Sequence, residues 1–237
     1  MGESIHAVHY LPILTTILAA IFSMILLSRY ALRRSGPHLL WWGVGIAVYG
    51  LGTALEATIT LFGNTYALTK AWYIAGALLG GYPLAQGSVY LLMQRRTAHM
   101  LSAVTVPIIA LVSVFVVLSP IVEGVLEPHR PSGAILEWSW VRLLTPLING
   151  YAVVFLIGGA IYSAMKFAKR QDPGAGHRAM GNAVIAFGAL LPGIGGTMAK
   201  AGMVEALYVG EFVGLLFIWA GFEINVRAPR VAIGAPA

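Results

Sequence analysis

Four ionisable side chains stand inside otherwise apolar stretches of this 237-residue chain: Glu56, Arg142, Lys200 and Glu211. A charge in such surroundings is costly to keep, so each is a candidate for function. Glu56 lies about six residues before the end of its stretch and Glu211 about seven after the start of its own. At ~1.5 Å of helix rise per residue, both reach roughly 9–10 Å below one boundary. Two carboxylates beside the Lys200 ammonium would titrate as a coupled unit. Such a unit suits proton coupling, or capture of a ligand bearing an amine or hydroxyl. The same residues also read as a structural ion pair that fixes helices in register, and Lys200 can instead extend to the boundary. Glu223, four residues before Arg227, reads as a helix-surface pair.

Neutral polar and aromatic residues extend the candidate set. Tyr49, Thr53 and Thr58 accompany Glu56, Trp72 and Tyr73 follow it, and Gln86 and Asn149 stand in later stretches. Each can bond between helices or reach a ligand. The ligand-binding set is therefore Glu56, Trp72, Tyr73, Gln86, Arg142, Asn149, Lys200 and Glu211. Catalysis finds little to work with. The histidines at 6, 9, 38, 99, 129 and 177 form no H-x-x-x-H pair with a carboxylate, and cysteine is absent. No serine elbow or phosphate loop stands in context, and the last apolar stretch has no deep lysine for a Schiff base. No catalytic residue, metal site or cofactor is expected, and the chain reads as no enzyme.

These residues must be positioned by membrane-spanning helices. Apolar residues make up 58% of the chain and charged ones 10%, against ~25% charged in a soluble domain. About 20 apolar residues cross the hydrocarbon as a helix. Seven runs qualify, at residues 10–28, 39–62, 70–93, 99–121, 141–165, 180–201 and 204–226. The expectation is an all-α polytopic membrane protein, a single seven-helix bundle over residues 1–237. Arg29, Arg33, Arg34, Arg95, Arg96, Lys166, Lys169, Arg170, Arg178, Arg227 and Arg230 follow odd-numbered runs, and only Lys70, Arg130, Arg142 and Lys200 fall on the other side. That asymmetry puts the N-terminus outside and the C-terminus in the cytoplasm of an inner membrane. It also argues against nucleic acid, which would want the basic residues on one face. Trp41, Trp42, Trp72, Trp138 and Trp140 mark span ends as interface anchors. No cleavable signal peptide precedes the first run.

Glycine and proline pattern the spans. Gly76-x-x-x-Gly80 and Gly210-x-x-x-Gly214 suit close helix packing. Pro83, Pro107, Pro146 and Pro192 fall within spans, where each permits a kink. Pro192 with Gly193, Gly195 and Gly196 is the expected hinge. A shift of 139 residues aligns Ile46–Leu79 with Ile185–Ile218 without a gap and matches Ile46/Ile185, Ala47/Ala186, Leu51/Leu190, Thr58/Thr197, Gly63/Gly202, Ala67/Ala206 and Leu68/Leu207. Spans one to three and five to seven would then be parallel repeats joined by the fourth.

The stretch Ala47-Val48-Tyr49-Gly50 to Ala54-Leu55-Glu56, then Lys70-Ala71-Trp72, Pro83 and Arg95-Arg96, resembles the seven-helix sensor region that precedes some bacterial histidine kinases and cyclic-nucleotide enzymes. The resemblance covers about residues 39–100. It implies a signal felt outside and relayed inward. No kinase or cyclase follows the seventh span here, so the relay would reach a separate partner through the cytoplasmic loops around Arg95–Arg96 and Lys166–Arg178. The expected function is that of a sensor in the lipid bilayer, with an outward-facing pocket for a small ligand or proton. The alternatives are a small-molecule transporter built on the repeat and a structural subunit of a membrane complex. Self-association into a homo-oligomer is left open.

Overall fold

Backbone N–H and C=O groups in hydrocarbon find no water, so a long apolar run closes its hydrogen bonds within itself as helix. The computed structural model describes residues 7–33 and 36–229, apart from the side chains of Ala7, Arg33 and Lys200. His6, Arg34 and Arg230 lie outside the described residues, as does the Lys200 ammonium. The fold is all-α. Six helical stretches are long and apolar enough to cross a membrane: Val8–Leu32, Pro37–Phe62, Arg95–Leu118, Ser139–Ala168, Ala175–Ala199 and Val204–Arg227. The chain is a helical, multi-pass membrane protein.

The elements in order are α1 (Leu11–Arg33), α2 (Pro37–Phe62), α3 (Tyr66–Trp72), α4 (Tyr82–Leu92), α5 (Arg95–Leu118), α6 (Ser139–Ala152), α7 (Gly159–Ala168), α8 (Ala175–Lys200) and α9 (Val204–Arg227). A π-helical segment, Tyr73–Leu78, continues α3, and another, Val153–Gly158, joins α6 to α7. The run expected as one span over residues 70–93 is thus broken. Pro83 is the cause: it has no N–H to donate, and its ring excludes the carbonyl of Leu79 from a continuous helix. The chain turns at Leu79–Gly81 and restarts, with Pro83 in the first turn of α4, where no donor is needed. Gly80 fits the turn because a Cβ there would come 2.5 Å from the Gly76 carbonyl oxygen.

Packing contacts divide the chain into two compact units, Met1–Leu156 and Ile157–Ala237. In the first unit, small residues bring α1 onto α2. A Cβ on Gly50 would meet that of Ala19 at 2.8 Å, the Ser23 hydroxyl donates to the Gly43 carbonyl at 2.8 Å, and the Thr16 and Thr53 hydroxyls bond at 2.9 Å. The other face of α2 receives α3, the π segment and α4. Gly45 meets Leu84, Gly52 meets Gly76, and the Trp42 indole donates to the Leu84 carbonyl at 3.1 Å. Tyr73, Leu78, Tyr82, Ile109, Val112, Val116 and Val141 form the adjoining core. Lys70 closes the end of α5 by donating to the carbonyls of Val117 and Ser119 at 2.8 and 2.7 Å, a cation at the negative end of the helix dipole.

In the second unit α8 and α9 form a tight antiparallel hairpin. Gly181, Gly188 and Gly195 recur at intervals of seven and face α9, where Gly210, Gly214 and Gly221 return the approach. A Cβ on Gly188 would lie 2.7 Å from the Gly214 carbonyl oxygen, and one on Gly221 2.5 Å from that of Gly181. Pro192 lies within α8, which runs unbroken from Ala175 to Lys200. The expected surface pair is present, with Arg227 3.6 Å from Glu223.

Candidate functional site

The site grows from a single close approach. Gly52 on α2 and Gly76 in the π segment touch backbone to backbone, a Cβ on Gly52 falling 3.0 Å from the Gly76 Cα. The space that a Gly76 side chain would fill is taken by the Trp72 indole, whose Nε1 lies 3.2 Å from that position. The indole thereby reaches across to α2. Its Nε1–H donates to Glu56 Oε1 at 2.7 Å. Glu56 is 1% exposed, among the most buried side chains of the chain. A carboxylate costs several kcal/mol to desolvate without such a partner, and a short bond from an indole to a carboxylate is of the stronger, charge-assisted kind. Thr60, one turn along α2, is equally buried, and its hydroxyl makes no hydrogen bond among the described residues.

Trp72 is the last residue of α3, and the π segment begins at Tyr73. π segments arise where one residue more than the α pitch is accommodated, and they recur at functional positions. The buried carboxylate is therefore tied to the point where this helical segment changes pitch, seven residues before the turn at Leu79–Gly81.

Several expected site residues serve that segment from other sides. The Tyr73 hydroxyl bonds that of Thr145 on α6 at 2.8 Å. Asn149 donates to the Ala77 carbonyl at 3.2 Å, just before the break. Gln86, fully buried on α4, has its amide spoken for: Nε2 donates to the Ala98 carbonyl at 3.2 Å and to the Ser102 hydroxyl at 2.7 Å, and Oε1 accepts from the Tyr151 hydroxyl at 2.6 Å. The chain of bonds continues from Ser102 to the Tyr90 hydroxyl at 3.2 Å and from there to His99 Nδ1 at 2.9 Å. Trp41 packs edge-on against Tyr82 and parallel to Tyr90. Arg142 is exposed near the start of α6.

Glu211 and the residues around Pro192 belong to the second unit. Glu211 is half-buried on α9 beside Gly210, which rests against the Leu191 carbonyl. The Pro192 ring lies against Gly214. Gly195 packs on Ala206 and Leu207, whereas Gly193 and Gly196 face open space. The structure thus brings Glu56 and Trp72 together, and sets Tyr73, Gln86 and Asn149 around the broken helix from α3 to α4.

Thr60, Ser102, Thr145 and Tyr151 were not singled out from sequence. Thr60 alone had a local signal, its i+4 spacing from Glu56 on one helix face. The others meet the expected site residues Tyr73 and Gln86 only by folding, across 16 residues or more. Comparisons with protein-family models, with curated proteins and with solved structures find no match to this chain.

Proposed function

We propose that this protein is a membrane-embedded sensor in which a small ligand or a proton reaches Glu56, and the third crossing carries the event inward. Seven crossings make up the reading, with α3, the π segment and α4 as the third and the cytoplasm on the side of Arg95–Arg96. One observation carries it: a carboxylate 1% exposed is held by the residue at which that crossing changes pitch. A ligand that takes the Glu56 carboxylate, or a proton that neutralises it, weakens the Trp72 bond. The π segment then has a second register open to it, and α4 can turn about the Leu79–Gly81 break. That turn would be read through the bonds of Gln86 to Tyr151 and Ser102, and so at Tyr90 and His99 near the cytoplasmic end. The resemblance of residues 39–100 to seven-helix sensor regions points the same way. Thermal-shift screening of the full chain in nanodiscs against small amines, alcohols and acids, with Glu56→Gln as control, tests the reading. Stabilisation that disappears in Glu56→Gln is expected, and ligands that stabilise both forms alike would remove Glu56 from the site.

A second reading, transport by a pair of three-helix repeats, is favoured by one feature of the backbone. α2 and α8 are each 26 residues long. Each is preceded by a glycine of positive φ, Gly36 at 89° and Gly174 at 83°, and followed by another, Gly63 at 89° and Gly202 at 96°. The next helix starts at Tyr66 in one case and Val204 in the other. Substrate flux into proteoliposomes that requires Glu56 would favour this reading over the first.

A further inference from the structure

We propose that the connection between α7 and α8 is a binding site for the headgroup phosphates of anionic lipids. Lys166 lies in the last turn of α7, Lys169 and Arg170 follow its end, and Arg178 lies in the first turn of α8. Between residues 166 and 178 the sequence has one acidic side chain, Asp172. It gathers the arginines rather than neutralising the set: Arg170 Nε lies 2.7 Å from Asp172 Oδ1, and an Arg178 guanidinium nitrogen lies 3.8 Å from Oδ2. The same two guanidinium groups sit 5.8 and 5.5 Å from the centroid of the Phe167 ring, within cation–π range. Ring and carboxylate together hold the arginines as a preset pair. Arg170 engages Asp172 through Nε and keeps its terminal nitrogens for an incoming oxyanion, as the planar fork of arginine suits phosphate.

Four cations against one carboxylate leave the connection strongly positive. Lys166 and Lys169 are exposed, and neither makes a hydrogen bond or ion pair among the described residues. Gly174, at φ 83°, lets the chain pass against Pro229, so the exposed Arg227 at the end of α9 is held on the same side of this unit. Such a patch could serve an acidic protein. Its place favours lipid, because the cations stand where apolar membrane-crossing helices end, at the level of the headgroups. Each cation at an anionic leaflet is expected to favour anionic over neutral lipid about fivefold. This site lies wholly in the second unit and does not rest on the role of Glu56.

The full chain in nanodiscs of equal phosphatidylglycerol and phosphatidylcholine, released into native mass spectrometry, gives the ratio of retained lipids directly. Phosphatidylglycerol should predominate, and Lys166→Gln with Lys169→Gln should lower its excess at least ~fivefold. Both side chains are exposed and unpaired among the described residues, so the fold survives the change. Arg95→Gln with Arg96→Gln, a cationic pair in the first unit, should leave most of the excess in place. Equal retention of the two lipids by the natural chain would overturn the proposal. So would an excess that ignores the lysine changes, one that falls as far in the Arg95–Arg96 variant, or recovery from native membranes of an acidic protein in place of the lipid.

Discussion

The bond between Trp72 and Glu56 joins a side chain whose importance was legible to one whose role was not. Glu56 stood out because an ionisable group in an apolar run has few bland explanations. Trp72 read as an interface anchor or a stacking surface, since nothing in its spacing shows that Gly76 leaves room for its indole to reach α2. Gln86 was legible as polar and buried, but its partners come from α5 and α6, which no local rule pairs with α4. Hydrogen bonds between membrane helices contribute about 0.6–1.7 kcal/mol in measured cases. Trp72→Phe keeps most of the apolar contact and should cost about 1–2 kcal/mol of unfolding stability. A double-mutant cycle with Glu56→Leu, which removes the acceptor, isolates the bond from the lost ring area. Full additivity of the two changes would show that no such bond contributes.

Among the elements, hydropathy located six long apolar helices to within a few residues, and read as one span a further run that the structure divides. Residues 70–93 are apolar throughout, so composition sees one span. What breaks it is stereochemical: Pro83 follows Gly80 and Gly81 closely enough that the chain turns rather than bends. Pro107, Pro146 and Pro192 lack that local glycine pair at the same distance, and their helices run on. The glycines of α8 show a similar split. Gly188 and Gly193 look alike in sequence, yet a Cβ on Gly188 would meet the Gly214 oxygen and Phe217, while one on Gly193 meets nothing within 4 Å. Gly188→Ala should therefore destabilise by about 1–3 kcal/mol through forced separation of the helices. Gly193→Ala should stabilise by up to about 1 kcal/mol through helix propensity. Unfolding of both variants in bicelles checks the pair, and the opposite signs are the point of the comparison.

At the scale of the whole molecule, the 139-residue repeat is the faintest sequence signal, and the transport reading rests on it. Of its seven identities, Gly63/Gly202 falls on positive-φ glycines that follow α2 and α8, and Gly36 and Gly174, also at positive φ, precede them. Two three-helix units of one plan would give a sensor or a transporter the same frame, so the frame alone does not choose between them. What separates the readings is whether the state of Glu56 is felt at the far end of α4. Hydrogen–deuterium exchange of the full chain in nanodiscs, compared between the natural protein and Glu56→Gln, reads this directly. Faster exchange is expected in the π segment and the Leu79–Gly81 turn, and again around Met93–His99 some twenty residues on. Exchange altered only beside residue 56, with Met93–His99 unchanged, would contradict the account.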